Sequence, residues 1–236
     1  MSEMDAKNIA LLIDADNVNP DGINAVLTVL AELGQVNIRR AYGNWAKDAL
    51  KRWGDITNRY GIRPQQQFDL TRGKNATDMA MTIDAVDLLY QGKVDGFGIM
   101  SSDSDFTPLI SRLRQDGLPV YCFGEEQRSP DALKAACTRF LDINKLIRAD
   151  QAPSGSEQHD VVEEDVIELL GHAWKASSRD DEGFAKLQEV GQIAGNRSSF
   201  DVRNYGFKRL SELVRSLDRF DMKRGPNNQI YVKRLR

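Results

Sequence analysis

Cysteine and histidine, the usual sources of zinc ligands, thiol nucleophiles and imidazole bases, number two each in this chain. Cys122 and Cys137 lack the close-set spacing of a metal site and have no third cysteine to join them. They are expected as reduced thiols, which suits a reducing, cytoplasmic compartment. Long apolar runs are also missing. No stretch approaches the ~20 consecutive apolar residues that span a bilayer, so no membrane association is expected. The start, MSEMDAKNIA, is acidic and polar before its first apolar run, unlike a secretory signal. Internal repeats and low-complexity tracts are absent.

What is present is a globular apolar content, 41% hydrophobic, and an uneven charge. From residue 183 to the end there are 12 Lys/Arg and 5 Asp/Glu, leaving 20 of the 32 basic and 30 of the 35 acidic residues upstream. A chain that is acidic in one part and basic in another commonly divides two tasks, one of them against a polyanion. Pro, Gly and Ser gather in ADQAPSGSEQ (149–158), which reads as a linker. The expected organisation is a domain over 1–148, a linker over 149–159 and a second domain over 160–236.

In the first part, short apolar runs alternate with amphipathic segments. Strands are expected at Asn8–Asp14, Val36–Tyr42, Ile62–Phe68, Gly96–Met100 and Pro119–Phe123, with a last apolar stretch at Phe140–Ile143. Helices are expected at Asp21–Glu32, Trp45–Tyr60, Ala76–Tyr90, Thr107–Gln115 and from Pro130. On the Ala76–Tyr90 helix, Met79, Ile83, Val86, Leu89 and Tyr90 are available for the buried side. Such alternation predicts right-handed crossovers and a parallel sheet covered on both faces. Ligands bind such sheets beyond the carboxyl ends of the strands, where the strand order switches.

Carboxylates concentrate at those ends. The first strand ends in Asp14-Ala15-Asp16-Asn17, the Gly96–Met100 strand in Ser101-Ser102-Asp103-Ser104-Asp105-Phe106, and Asp78 opens the helix between them. Gathered like charges repel unless a cation or protons neutralise them, and all-oxygen ligation suits Mg²⁺ or Mn²⁺. Most of these residues also have a plainer reading, though nothing structural requires a carboxylate at Asp14, straight after a buried strand. Asp105 fits a helix N-cap, Asp16 and Asn17 fit a turn, and Asp78 fits a partner for the helix dipole. His159 and His172 both lie outside this part, which argues against histidine acid–base chemistry there. Lys74, Arg72, Lys47 and Arg52 are candidate phosphate contacts, Lys74 foremost. Tyr42 and Trp45 are residues for either base stacking or core packing.

LLIDADN, the Lys74-x-x-x-Asp78 spacing followed by Asp84, and SSDSDF together resemble the NYN domain. That family is a branch of the PIN-like metal-dependent ribonucleases and is similar to LabA-like bacterial proteins. The resemblance runs from about Asn8 to Leu146. It implies a flavodoxin-type layered parallel sheet and Mg²⁺- or Mn²⁺-assisted RNA hydrolysis. On this likeness Asp14, Asp78 and Asp103 hold the metal, Asp105 completes the site, and Asn17 orients a ligand or water. The family's usual S-G-D-S-D-F has Ser102 here in place of Gly, with no acid lost. Asp84 follows Asp78 by six residues, about 120° off its helical face, and ranks lower.

Beyond the linker, helices are expected at Val161–Trp174, Phe184–Ala194 and Tyr205–Leu217, then a strand pair at Phe220–Lys223 and Gln229–Val232. Three helices and a hairpin describe a small winged helix-turn-helix. The stretch Val161–Leu235 resembles the OST-HTH (LOTUS) domain through GFAKLQEVGQIA, YGFKRLSELVRSL and the terminal hairpin. This likeness implies RNA binding and, in some relatives, protein partners. Lys208, Arg209, Lys223 and Arg224 are its candidate phosphate contacts, and a solvated basic face is the alternative.

Three functions therefore compete. One is a metal-dependent ribonuclease with an RNA-binding module. Another is an RNA-binding adaptor that does not cut. The third is a haloacid-dehalogenase-type phosphatase, suggested by Asp14-x-Asp16. It lacks that family's Thr, where Val18 stands, and its last Asp, where Thr107 stands.

Overall fold

The chain is described here by a computed structural model over residues 7–68, 75–151, 164–198 and 200–235. It divides into two compact units, Met1–Asp150 and Gln151–Arg236.

The run NIALLID forms β1 (Asn8–Asp14), the centre of a six-stranded sheet. Around it fold α1 (Ile23–Ala31), β2 (Gln35–Gly43), α2 (Lys51–Arg59) and β3 (Arg63–Gln66). There follow α3 (Ala76–Gln91), β4 (Gly96–Met100), α4 (Thr107–Gln115), β5 (Val120–Gly124), α5 (Asp131–Ala136), β6 (Arg139–Asp142) and α6 (Ile143–Gln151). The strand order is β3-β2-β1-β4-β5-β6, and every pairing is parallel. Successive side chains of β1 leave opposite faces. Ile9, Leu11 and Ile13 join one core with Val26, Leu30 and Trp53, while Ala10 and Leu12 join another with Met81, Leu88 and Leu113. Both faces are covered, so a continuous apolar strand is the stable sequence. The order turns between β1 and β4. The carboxyl ends of these two neighbours carry Asp14 and the Ser101–Asp105 stretch.

Three local expectations need correction. Met79, Ile83 and Tyr90 of α3 are 61%, 55% and 72% exposed rather than buried. The stripe that packs is Thr77, Met81, Ala85 and Leu88, flanked by partly buried Val86 and Leu89. The helix has two apolar stripes, and the sheet selects the one whose small Ala85 allows close approach. Trp45–Lys47 is not helical, because Asn44 turns the chain by accepting at its side chain from the Ala46 N–H (3.3 Å) and at its carbonyl from the Lys47 N–H (2.9 Å). Helix α6 continues through Ala149 and Asp150 to Gln151, where composition suggested linker. Residues 152–159 of the expected linker lie outside the described residues.

The two cysteines are joined as a disulfide, with their Cα atoms 6.1 Å apart, rather than standing as separate thiols. Pairing of β6 with β5 returns the chain beside Cys122 and seats Cys137 in the same buried core. Sequence spacing could not reveal this, and it removes the cysteine-based argument for a reducing compartment. Among the described residues no helix is long and apolar enough to cross a membrane.

The second unit contains α7 (Glu164–Ala176), β7 (Ala185–Lys186), α8 (Leu187–Arg197), α9 (Leu210–Arg215), β8 (Phe220–Arg224) and β9 (Ile230–Arg234). Its sheet is antiparallel in the order β7-β9-β8. The start of the expected Phe184–Ala194 helix is instead strand, because Ala185 and Lys186 pair with Val232 and Tyr231. The Tyr205–Leu217 periodicity yields only the six residues of α9. Gly206, at φ 80°, closes a 3-10 turn and stops a continuous helix. Val166, Leu170, Val190, Phe207, Leu213 and Val232 are at the centre of this unit's own core.

Candidate functional site

Asp14 is fully buried at the end of β1. Its carbonyl accepts from the N–H groups of Asn17 (3.2 Å) and Val18 (3.1 Å), which turns the chain under the sheet edge. Its carboxylate accepts from Asn17 Nδ2 at 3.2 and 3.0 Å and from Ser101 Oγ at 2.9 Å. Burial raises its pKa above the ordinary range. The Asn17 and Ser101 hydrogen bonds oppose this, and the charges of Asp16 and Asp103 add to it. Asn17 thus holds a carboxylate.

Asp16 is more than a turn residue. Its carboxylate accepts from Thr77 Oγ1 (2.9 Å) and the Asn44 N–H (3.2 Å) and pairs with Lys47 Nζ (3.3 Å). It ties the end of β1 to the end of β2 and the start of α3. Asp78, in the first turn of α3, is pushed up to about 6, chiefly by burial and then by the charges of Asp14, Asp103, Asp105 and Asp16. Four carboxylates from two other stretches of chain therefore act on a fifth.

After β4, the N-cap is Asp103, whose side chain accepts from the Asp105 N–H at 2.9 Å. Ser101 Oγ accepts from the Asp103 N–H at 3.1 Å while donating to Asp14. Asp105, the residue that suggested a cap, is exposed and accepts from Asn75 Nδ2 at 2.7 Å. As placed, no three His, Cys, Asp or Glu side chains among the described residues stand close enough to hold one ion. Convergence of three bare carboxylates is opposed by their repulsion, which a cation would offset.

The remaining candidates separate clearly. Tyr42 is buried, its hydroxyl donating to Asp84, which also pairs with Arg40. Tyr42 is therefore core and unavailable to a base, and Asp84 is engaged away from the other acids. Trp45 packs on the core and donates from Nε1 to the Gln65 carbonyl at 2.9 Å. Arg52 pairs at the surface with Asp21 (2.7 Å). Lys74 and Arg72 lie outside the described residues. His172 is exposed, 4.0 Å from Glu168, and His159 lies outside the described residues. In the second unit Lys208 and Arg209 are exposed before α9. Lys223 is held by Asp180 (2.9 Å) and Glu182 (2.6 Å), and Arg224 donates to Asn228 (3.3 Å).

Sequence reasoning passed over Ser101, Thr77 and Asn75, the neutral groups that fix the carboxylates. The available signal was their adjacency to the acids in SSDSDF and NATD.

The chain is similar to known proteins in sequence and in fold. A curated but uncharacterized protein of Methanocaldococcus jannaschii is 28% identical over 149 residues, 61% of this chain. The chain spans 58% of that relative's length. A crystal structure of a Vibrio parahaemolyticus protein of unknown function shares the fold at a TM-score of 0.50 and 20% identity. That likeness covers 60% of this chain and 95% of the other. The OST-HTH/LOTUS family model matches residues 160–232, and the NYN domain model matches residues 8–144. With more than half its length inside that second match and the paired acids at the β1 and β4 ends within it, the chain belongs to the NYN domain family and carries a C-terminal OST-HTH/LOTUS domain.

Proposed function

We propose that the first unit is a divalent-metal-dependent ribonuclease and that the second unit binds its RNA. The observation that carries this reading is the gathering of acids at one sheet edge, Asp14 buried at the end of β1, Asp103 after β4 and Asp78 in the first turn of α3, where their charges and burial raise the Asp78 pKa. The donors are all hard oxygens of one charge, a set that fits Mg²⁺ or Mn²⁺. Asp14, Asp78 and Asp103, with Asp105 beside them, would hold the ion. Bound there, it would polarise a phosphate and lower the pKa of a water.

The rest falls to the chain itself. Asn17 and Ser101 fix the two oxygens of Asp14. Asp16 and Thr77 lock the start of α3 against β1, which sets where Asp78 stands. Asp105, exposed at the rim, is assigned the proton of the attacking water.

A second reading, an RNA-binding protein that does not cut, is favoured by the absence of a converged carboxylate trio among the described residues. The phosphatase reading is weaker, because Val18 packs against the core where that chemistry needs a phosphate-binding Thr. One assay separates them: labelled RNA and a generic phosphate monoester, each with Mn²⁺, Mg²⁺ or EDTA. We expect cleavage of RNA alone, lost in EDTA and in purified, folded Asp14→Asn and Asp103→Asn. Wild-type-like cleavage by either variant would falsify the site, and binding without cleavage would establish the adaptor.

A further inference from the structure

The second unit contains a pocket of about 1280 Å³ between the end of α7, residues 177–183 and the end of β9. Its lining includes Trp174, whose Nε1 donates to the Gly183 carbonyl at 3.1 Å. The Arg179 guanidinium lies over the Trp174 ring, 4.9 Å from its centroid. A guanidinium over an aromatic face is attracted to it and still has N–H donors for a phosphate.

The acids of the wall are largely spent. Asp180 pairs with Lys223 at 2.9 Å and Glu168 with Arg234 at 2.5 Å. Lys175, Arg179, Arg219 and Lys233 have no carboxylate at ion-pair distance among the described residues, Lys233 lying instead over the Phe184 ring at 5.6 Å, and Asp181 is the one other acid in the lining. The pocket is therefore a cationic concavity with one aromatic side chain in its lining.

We propose that this pocket, rather than the Lys223–Arg224 pair of β8, grips the RNA. One or two nucleotides of single strand would enter, with phosphates on Arg179, Arg219 and Lys233 and a base against the Arg179–Trp174 stack. The proposal rests on the RNA-binding reading of this unit. Lys223, the hairpin's leading cation, already has two carboxylate partners. The volume exceeds the ~300–1,000 Å³ common for small-molecule sites, so a chain segment fits better than a free nucleotide. A protein partner is disfavoured because Trp174 and Leu235 are the only apolar side chains in the described wall.

The test uses the full chain in EDTA, with fluorescence polarisation of a labelled oligouridylate across a salt series. Arg179→Ala/Arg219→Ala should weaken binding about tenfold and flatten the log–log salt slope by about 1.4, at ~0.7 per phosphate contact. Arg215→Ala, exposed on α9 and outside the pocket lining, should leave both nearly unchanged. Arg219→Ala alone should lose about half that slope, which guards against disturbance of the stack, and Arg179→Lys should fall between Ala and Arg. If the wild type binds and the double variant matches it in affinity and slope, the pocket assignment is overturned while RNA binding stands. That result would leave a protein as the pocket's occupant. If the wild type binds no RNA at all, the broader reading falls and takes the pocket with it.

Discussion

Asp78 shows how one residue couples the fold to its chemistry. Its pKa rises from the ordinary 3.8 to about 6, so the folded protein favours its protonated form. The stability it supplies is complete below about pH 4 and is lost as pH rises through about 6. In EDTA at pH 7.5, Asp78→Asn should therefore melt higher than the wild type. Discounted for solvent screening, the gain is about 1 kcal/mol, or about 2–4 °C. At pH 4 the two proteins should melt together, and a lower melting point for the variant at pH 7.5 would contradict the charge argument. Mn²⁺ should stabilise the wild type more at pH 7.5 than at pH 5.5, since ligands must be deprotonated to bind. Ser101 acts through Asp14. Ser101→Ala should lower metal affinity about tenfold in a calorimetric titration, the usual cost of losing a group that orients a ligand.

Among the elements, α3 carries the sharpest lesson. Its two apolar stripes look equivalent along the sequence, but only Met81, Ala85 and Leu88 face the sheet. Leu88→Ala should cost about 2–4 kcal/mol in urea unfolding, as buried truncations do. Ile83→Ser, on the exposed stripe, should stay within about 0.5 kcal/mol. Equal costs would mean that α3 is rotated on the sheet. The loop after β4 teaches the same thing more finely. A six-residue stretch rich in Ser and Asp promises a cap, but which Asp takes the role depends on where the backbone of β4 releases it.

For the whole molecule, the two units and the charge division argue for separable tasks. A chain ending at Asp150 should fold alone, because each unit has its own core. It should bind single-stranded RNA at least tenfold more weakly than the full chain at matched salt, since the basic surplus lies beyond it. Equal affinities in a filter-binding titration would move the RNA grip into the first unit.

In the first unit the alternation of strands with helices, the parallel sheet and the placing of Asp14, Asp78 and Asp103 at one edge were legible in the residues. Each depends on local periodicity and on the fixed hand of strand crossovers, which operate over short range. Tertiary structure alone decided which stripe of α3 is buried and that Tyr42 serves the core. It also decided that Cys122 meets Cys137, and that Arg179, Arg219 and Lys233 share a pocket. Those outcomes join residues far apart in sequence through strand pairing and close packing. Periodicity along one element has no information on which of two similar faces its neighbour can approach.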